Sequence, residues 1–317
     1  MVRIFYREGM ELKKETSLEE IGIRKDMIWV DLQNATESEK TWIENHFEIQ
    51  MQDQKEISEI ESSSRYREKN RAMIANSNFL KINSNSEEEG YPVAFQLKNN
   101  ILFSYRIGNS ETFAETVRKM KLSEKSFLSG ADILLWLFET QIDYKADLLE
   151  SISRNITEVF QNLMSERSID TDSILKIIKL QEETLTLKEG ISDKKRVLSS
   201  FLKSSLFPED RKQRLEILLQ DISSLLDFIP MEMERMGNLQ QTQKNLSLQE
   251  QKKLIHVSMV YASGILLAIL IANIFSMNLN SIPIPWLSSS FGFWLCIGLI
   301  SLGSIGIALH LRNKKWT

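Results

Sequence analysis

Few residue types in this 317-residue chain are placed to do chemistry. The three histidines, His46, His256 and His310, are dispersed. The single cysteine, Cys296, lies in an apolar run, which excludes an intrachain disulfide and a cysteine-based zinc cluster. No Gly-rich loop followed by Lys-Ser/Thr is present to cradle a nucleotide phosphate. Nor does local spacing suggest a Ser-His-Asp, Cys-His or metal-histidine grouping, so the reading is not an enzyme. What remains is Ala272-Asn273-Ile274-Phe275-Ser276-Met277-Asn278, where neutral polar side chains close an uncharged stretch. Such groups handle a solute and make no bonds. The first 250 residues carry 34 basic against 43 acidic residues, a net charge of −9, so cations are the natural partner and nucleic acid is a poor one.

The elements that must position these groups lie at the C-terminal end. After Gln251 there is no Asp or Glu. Leu254 to Phe275 is free of charge, and 22 residues at ~1.5 Å each give ~33 Å, enough to cross a hydrocarbon core of ~30 Å. A second uncharged run, 291–311, contains Gly292, Gly298, Gly303 and Gly306, which suit close helix packing. The turn between them, 276–290, carries no charge, whereas Lys252 and Lys253 precede the first span and Arg312, Lys314 and Lys315 follow the second. That asymmetry predicts an integral protein of a plasma (inner) membrane with both termini cytoplasmic. Trp286 and Trp316 fit interfacial positions. The N-terminus has no uninterrupted apolar core and does not read as a secretory signal.

Before the spans, periodicity predicts two regions, 1–130 and 131–251. In the first, an α/β domain, Ile28 to Leu32 reads as a strand, Glu37 to Phe47 as a helix with Thr36 as N-cap and Glu39 in capping-box position, and 94–105 as a hairpin about Lys98-Asn99-Asn100. In the second, Ile133, Leu137, Leu148, Ile152, Val159 and Leu163 mark one helix, and Ile174, Ile178, Leu185 and Leu187 another. Ser204 to Phe207 reads as a break. A third helix follows, with Pro208 in its first turn and a coiled-coil seam of Leu215, Leu219, Ile222, Leu226, Ile229, Met233 and Met236. If it continues to Phe275 it is ~100 Å long, with Pro230 as a kink or a gating bend. The seam gives way to amides at 238–251, read either as a solvated face or as a hydrated vestibule. One membrane hairpin cannot enclose an aqueous path, so a path requires copies around a symmetry axis.

In this setting Ser276-Met277-Asn278, the basic-plus-Trp tail, 312–317, and Trp29-Val30-Asp31-Leu32 with Ala35-Thr36-Glu37 resemble the CorA family of divalent-cation transport proteins, whose motif at this place is aromatic-Gly-Met-Asn. The resemblance covers nearly the whole chain. It implies an α/β cytoplasmic domain, a long α-helical stalk and two C-terminal transmembrane helices, assembled as a funnel-shaped homopentamer in the lipid bilayer. The first spans, 252–275, would line the pore, with Met277 and Asn278 at its outer mouth. Mg²⁺ loses its waters reluctantly, and a ring of amide and carbonyl oxygens holds the hydrated ion without trapping it. Stepping back from Asn278 gives Ile274, Asn273, Leu270, Leu266 or Leu267, and Ser263 or Met259 as candidate pore lining, positions that equally serve helix-helix packing.

The resemblance implies passive Mg²⁺ transport, with Co²⁺ or Ni²⁺ as lesser substrates, no cofactor, and Mg²⁺ as a gating ligand at cytoplasmic carboxylates. Asp221 locally resembles a family stalk aspartate, although its distance to Asn278 does not align without a gap, and a solvated acid is the alternative. Ser276 and Asn273 both stand where family members often carry Gly, and the loop lacks the family's acidic residue. Serine adds bulk and strain at a position that favours φ > 0. That departure keeps open a non-conducting sensor or scaffold, beside a zinc transporter of the ZntB branch; zinc usually takes His or Cys ligands, but His256 and His310, near the cytoplasmic ends of the two spans, read as interfacial residues.

Overall fold

The computed structural model describes residues 1–9, 11–16, 26–52, 65–82, 88–123, 126–166, 171–276, 294, 297–303 and 305–306. They form two compact units, residues 1–162 with 172–237, and residues 163–171 with 238–317.

Seven strands build one sheet: β1 (Val2–Glu8), β2 (Glu11–Glu15), β3 (Met27–Gln33), β4 (Tyr66–Lys69), β5 (Ala72–Ile82), β6 (Glu88–Lys98) and β7 (Ile101–Arg106). Their order is β2-β1-β3-β7-β6-β5-β4, and every pair is antiparallel except β3–β7. The sheet is apolar on both faces, which is why β3, Met-Ile-Trp-Val-Asp-Leu-Gln, reads as an almost continuous hydrophobic run. One face buries Val2, Ile4, Val30, Leu32 and Phe103 beneath Ile43 of helix α1 (Glu37–Phe47). On the other, Trp29 stacks on Phe5 at 4.7 Å and meets Phe113 of α2 (Glu111–Leu122) at 5.9 Å.

The local signals in this domain are realised. Thr36 caps α1 in a full capping box, its hydroxyl accepting from the Glu39 N–H at 3.3 Å and its own N–H donating to Glu39 at 2.8 Å. That backbone donor holds the Glu39 carboxyl below its usual range. Asn99 and Asn100 both adopt φ > 0, +49° and +67°, as a two-residue hairpin turn between β6 and β7 requires.

Three helices follow: α3 (Gly130–Glu166), α4 (Thr171–Lys203) and α5 (Glu209–Ser276). The periodicity change near 130 is therefore no boundary between compact units, because the start of α3 is built into the sheet's core. Phe138 packs on Phe79 and Phe95 at 5.6 and 5.7 Å. Gly130 donates its N–H to Asn100 at 2.7 Å, so close to the hairpin that a Cβ there would lie 2.3 Å from the Leu102 nitrogen.

Two expected stripes are corrected. On α4, Leu187 is buried, but Ile174, Ile178 and Leu185 are exposed, and the inward row is Ile177, Leu180, Thr184, Leu187, Ile191 and Lys194. Two members of that row are polar, so an apolar periodicity cannot trace it. The Thr184 hydroxyl is satisfied within the helix by the Leu180 carbonyl at 2.6 Å. On α5, Leu215, Ile222, Ile229 and Met236 are core, but the alternate row is buried at Leu218 and Glu232, whereas Leu219, Leu225, Leu226 and Met233 are half-buried. Glu232 is tolerated there because Ser153 of α3 donates to it at 2.9 Å and Arg235 at 2.8 and 2.9 Å. The seam then continues through Leu239 and Gln243, inside the amide-rich stretch. Pro208 precedes α5 and does not sit in its first turn, and the helix is unbroken across the exposed Pro230.

Candidate functional site

From Leu254 to Ser276, helix α5 contains no Asp, Glu, Lys or Arg and reaches a mean hydropathy of 2.3. None of that apolar window is buried: Leu254, Ile255, Met259, Tyr261, Ile265, Leu266, Ile269 and Leu270, which spread over about half of the circumference, are all exposed, and Val257, Val260, Gly264, Ala268 and Ile271 on the other side are half-buried. A helix that is apolar all round needs an apolar surrounding, either lipid or other helices. Its small polar groups are satisfied internally, as a hydrocarbon environment demands. Ser258 donates to the Leu254 carbonyl at 2.9 Å and Ser263 to Val260 at 2.8 Å.

At about 100° per residue, Met259, Ser263, Leu266, Leu270, Asn273 and Ile274 fall within about 100° of arc, one face of the helix. Met259, Leu266, Leu270 and Asn273 are all exposed on it, and the first and last of these lie ~21 Å apart along the axis. The face is aliphatic with two polar positions, Ser263 and Asn273, and its rings can act as dewetting constrictions if copies assemble around it. Ser276 ends the helix. Met277 and Asn278, the outer loop, Trp286, His310 and the tail 312–317 lie outside the described residues; of the second span, 297–303 are helical.

Asp221 is exposed on α5, 52 residues before Asn273 and separate from this face. His256 is exposed at the start of the apolar stretch. Among the described residues no three His, Cys, Asp or Glu side chains come together to hold a metal ion. Sequence reasoning missed the polar groups buried under the helices, Glu232 among them and a lysine-rich cluster beneath α4. Their only signal is three-dimensional.

The profile of the CorA-like Mg²⁺ transporter protein family matches residues 24–313. The chain belongs to that family. The magnesium transport protein CorA of Wolinella succinogenes is 28% identical over 323 residues, covering all of both chains. Among solved structures, the complete CorA magnesium transporter from Methanocaldococcus jannaschii matches with a TM-score of 0.80 at 13% identity, covering 100% of this chain and 99% of its own. The ZntB cytoplasmic domain from Vibrio parahaemolyticus matches with a TM-score of 0.61 at 14% identity, over 78% of this chain and 98% of its own. At such identities the likenesses establish the fold. The sheet, the helix pair and the long helix are thus the fold of a CorA-like Mg²⁺ transporter, and α5 carries a stretch long and apolar enough to cross a membrane.

Proposed function

We propose that the chain carries Mg²⁺ passively across a plasma membrane as a homo-oligomer, a pentamer by family resemblance, with α5 helices around the path and both termini in the cytoplasm. The observation that carries this reading is the bare, uncharged end of α5, which needs neighbours of its own kind to enclose water and which leads into the Asn273 to Asn278 segment. In this reading Met259, Leu266, Leu270, Asn273 and Ile274 line the path, and Ser276, Met277 and Asn278 form its outer mouth. Amide and carbonyl oxygens there hold the ion through its water shell. No coupling reaction is required, since an inside-negative potential favours entry of a divalent ion by ~4.6 kcal/mol per 100 mV. Mg²⁺ acting on exposed acids such as Asp221 would serve as the gating ligand.

The test is Mg²⁺ entry into proteoliposomes under an imposed inside-negative potential, comparing the native chain with Asn278→Ala and Ser276→Gly. Saturable native flux that collapses in Asn278→Ala while the oligomer persists is the expected result. Unchanged flux in Asn278→Ala removes that residue from selectivity. Flux seen only in Ser276→Gly makes the native chain a non-conducting relative and moves its role to sensing or assembly.

A further inference from the structure

Beneath α4, at its contact with strand β5, four ionisable side chains are packed out of water. Lys194 is fully buried, Lys145 of α3 is 2% exposed, and Asp193 and Arg65 are 8% and 7% exposed. Asp193 ties α4 to the sheet: its carboxylate accepts from the Ser77 hydroxyl at 2.7 Å and the Asn78 N–H at 3.2 Å, and pairs with Arg65 at 3.3 Å. Lys194 donates to the Asn78 carbonyl and lies 5.1 Å over the Phe79 ring. The Lys145 amine sits close against α4, since a Cβ on Gly190 would meet its nitrogen. The groups facing Lys194 are therefore Lys145 from α3, Asp193 from its own helix, Arg65 from the segment ahead of β4, and only a carbonyl and a ring from β5. Among these described groups two cations and one carboxylate act on Lys194, which exposes no surface to solvent.

We propose that this cluster is a proton-controlled joint, in which uptake of a proton at Lys194 loosens the seat of α4 on β5 and its release tightens the seat. The physical ground is that a buried ammonium loses its hydration and meets like charge, whereas a neutral amine still donates to the Asn78 carbonyl. Burial first, and then the nearby Lys145, bring the Lys194 amine down from 10.5 to about 7. An opened seat returns the amine to water and to its ordinary value. Between about 7 and 10.5 the open form holds a proton that the closed form has shed, so the closed form gains as pH rises through this window. Below about 7 both forms are protonated and that gain is absent. This property belongs to the α/β body and is independent of whether the chain conducts.

Hydrogen exchange on the full-length protein in detergent tests it, with rates corrected for intrinsic chemistry between pH 6 and 8.5. The relevant peptides cover 188–200 of α4 and 73–80 of β5, with β1 and β3 as internal reference. The opening equilibrium of the seat is expected to fall ~30-fold over that range in the native chain and to stay flat in Lys194→Met, which keeps an unbranched side chain one atom shorter and without charge. Native peptides that follow the reference across the range, or a Lys194→Met chain that retains the dependence, overturn the proposal. If the variant does not fold, the native comparison with β1 and β3 decides alone.

Discussion

Two glycines of this chain respond oppositely to alanine, and the difference follows from what each faces. At Gly130 an added Cβ would lie 2.3 Å from the Leu102 nitrogen, 2.7 Å from the Ile101 carbonyl carbon and 2.8 Å from the Asn100 oxygen. Comfortable contact is near 3.5–4.0 Å, and all three atoms are backbone of the β6–β7 hairpin, so none can rotate away. The start of α3 must withdraw, lengthening the 2.7 Å hydrogen bond from Gly130 to Asn100. Overpacking costs ~1–3 kcal/mol and the bond ~1 kcal/mol, offset by at most ~1 kcal/mol of helix propensity. The net expectation is ~1–3 kcal/mol of destabilisation. Gly237, inside α5 with nothing within 4 Å of the corresponding position, gives a control in which alanine stabilises by ~0.4–1 kcal/mol. Denaturant unfolding of the full-length protein in detergent, followed by circular dichroism, measures both. A Gly130→Ala chain within about 0.5 kcal/mol of the native one, or the same sign for both variants, refutes the reasoning.

Two further predictions concern charges. Truncating Arg235→Ala strands the buried Glu232 with only the Ser153 hydroxyl and is expected to cost ~3 kcal/mol, whereas Glu232→Leu, which restores an apolar seam residue, is expected to be neutral or stabilising; the two midpoints of urea unfolding give the comparison. Glu39→Gln keeps a capping-box acceptor but removes the charge near the amino end of α1. Because the folded carboxyl sits below its ordinary value, the native chain should be ahead by ~0.3–1 kcal/mol at neutral pH, with the gap closing as pH falls through that depressed value. Stability curves at pH 7 and pH 3 measure the gap, and a gap that widens on acidification contradicts this.

Local chemistry was the legible part of the fold. Thr36 and Glu39 carry their cap within three residues, and Asn99 and Asn100 carry their turn within two, so both are visible in sequence and both form. The apolar span of α5 is legible for a similar reason, since its length and lack of charge need no partner to be recognised. Packing that depends on distant segments was not. Glu232 enters the seam because Ser153, 79 residues earlier, supplies a donor, and Lys194 is buried because β5 and α3 close over it. Read along a helix, both residues look like solvated face. Ile174, Ile178 and Leu185 mislead in the opposite sense, being apolar and exposed. At the candidate site, the face shared by Met259, Leu266, Leu270 and Asn273 follows from helical phase alone, while the ring it would form requires further copies of the chain.

The one parallel pair in the sheet has a consequence for how the chain is made. Strands β1 to β3 pair among themselves, but the second edge of β3 waits for β7, and Asp31 waits for Arg106, 75 residues later. At about 5–20 residues per second, a ribosome leaves that apolar edge uncovered for ~4–15 s. An open edge of Ile28, Trp29 and Val30 is a template for pairing with another chain, and the long loop that closes it makes the β3–β7 junction a slow step. Aggregation during synthesis should therefore begin at β3, well before the apolar end of α5 has left the ribosome.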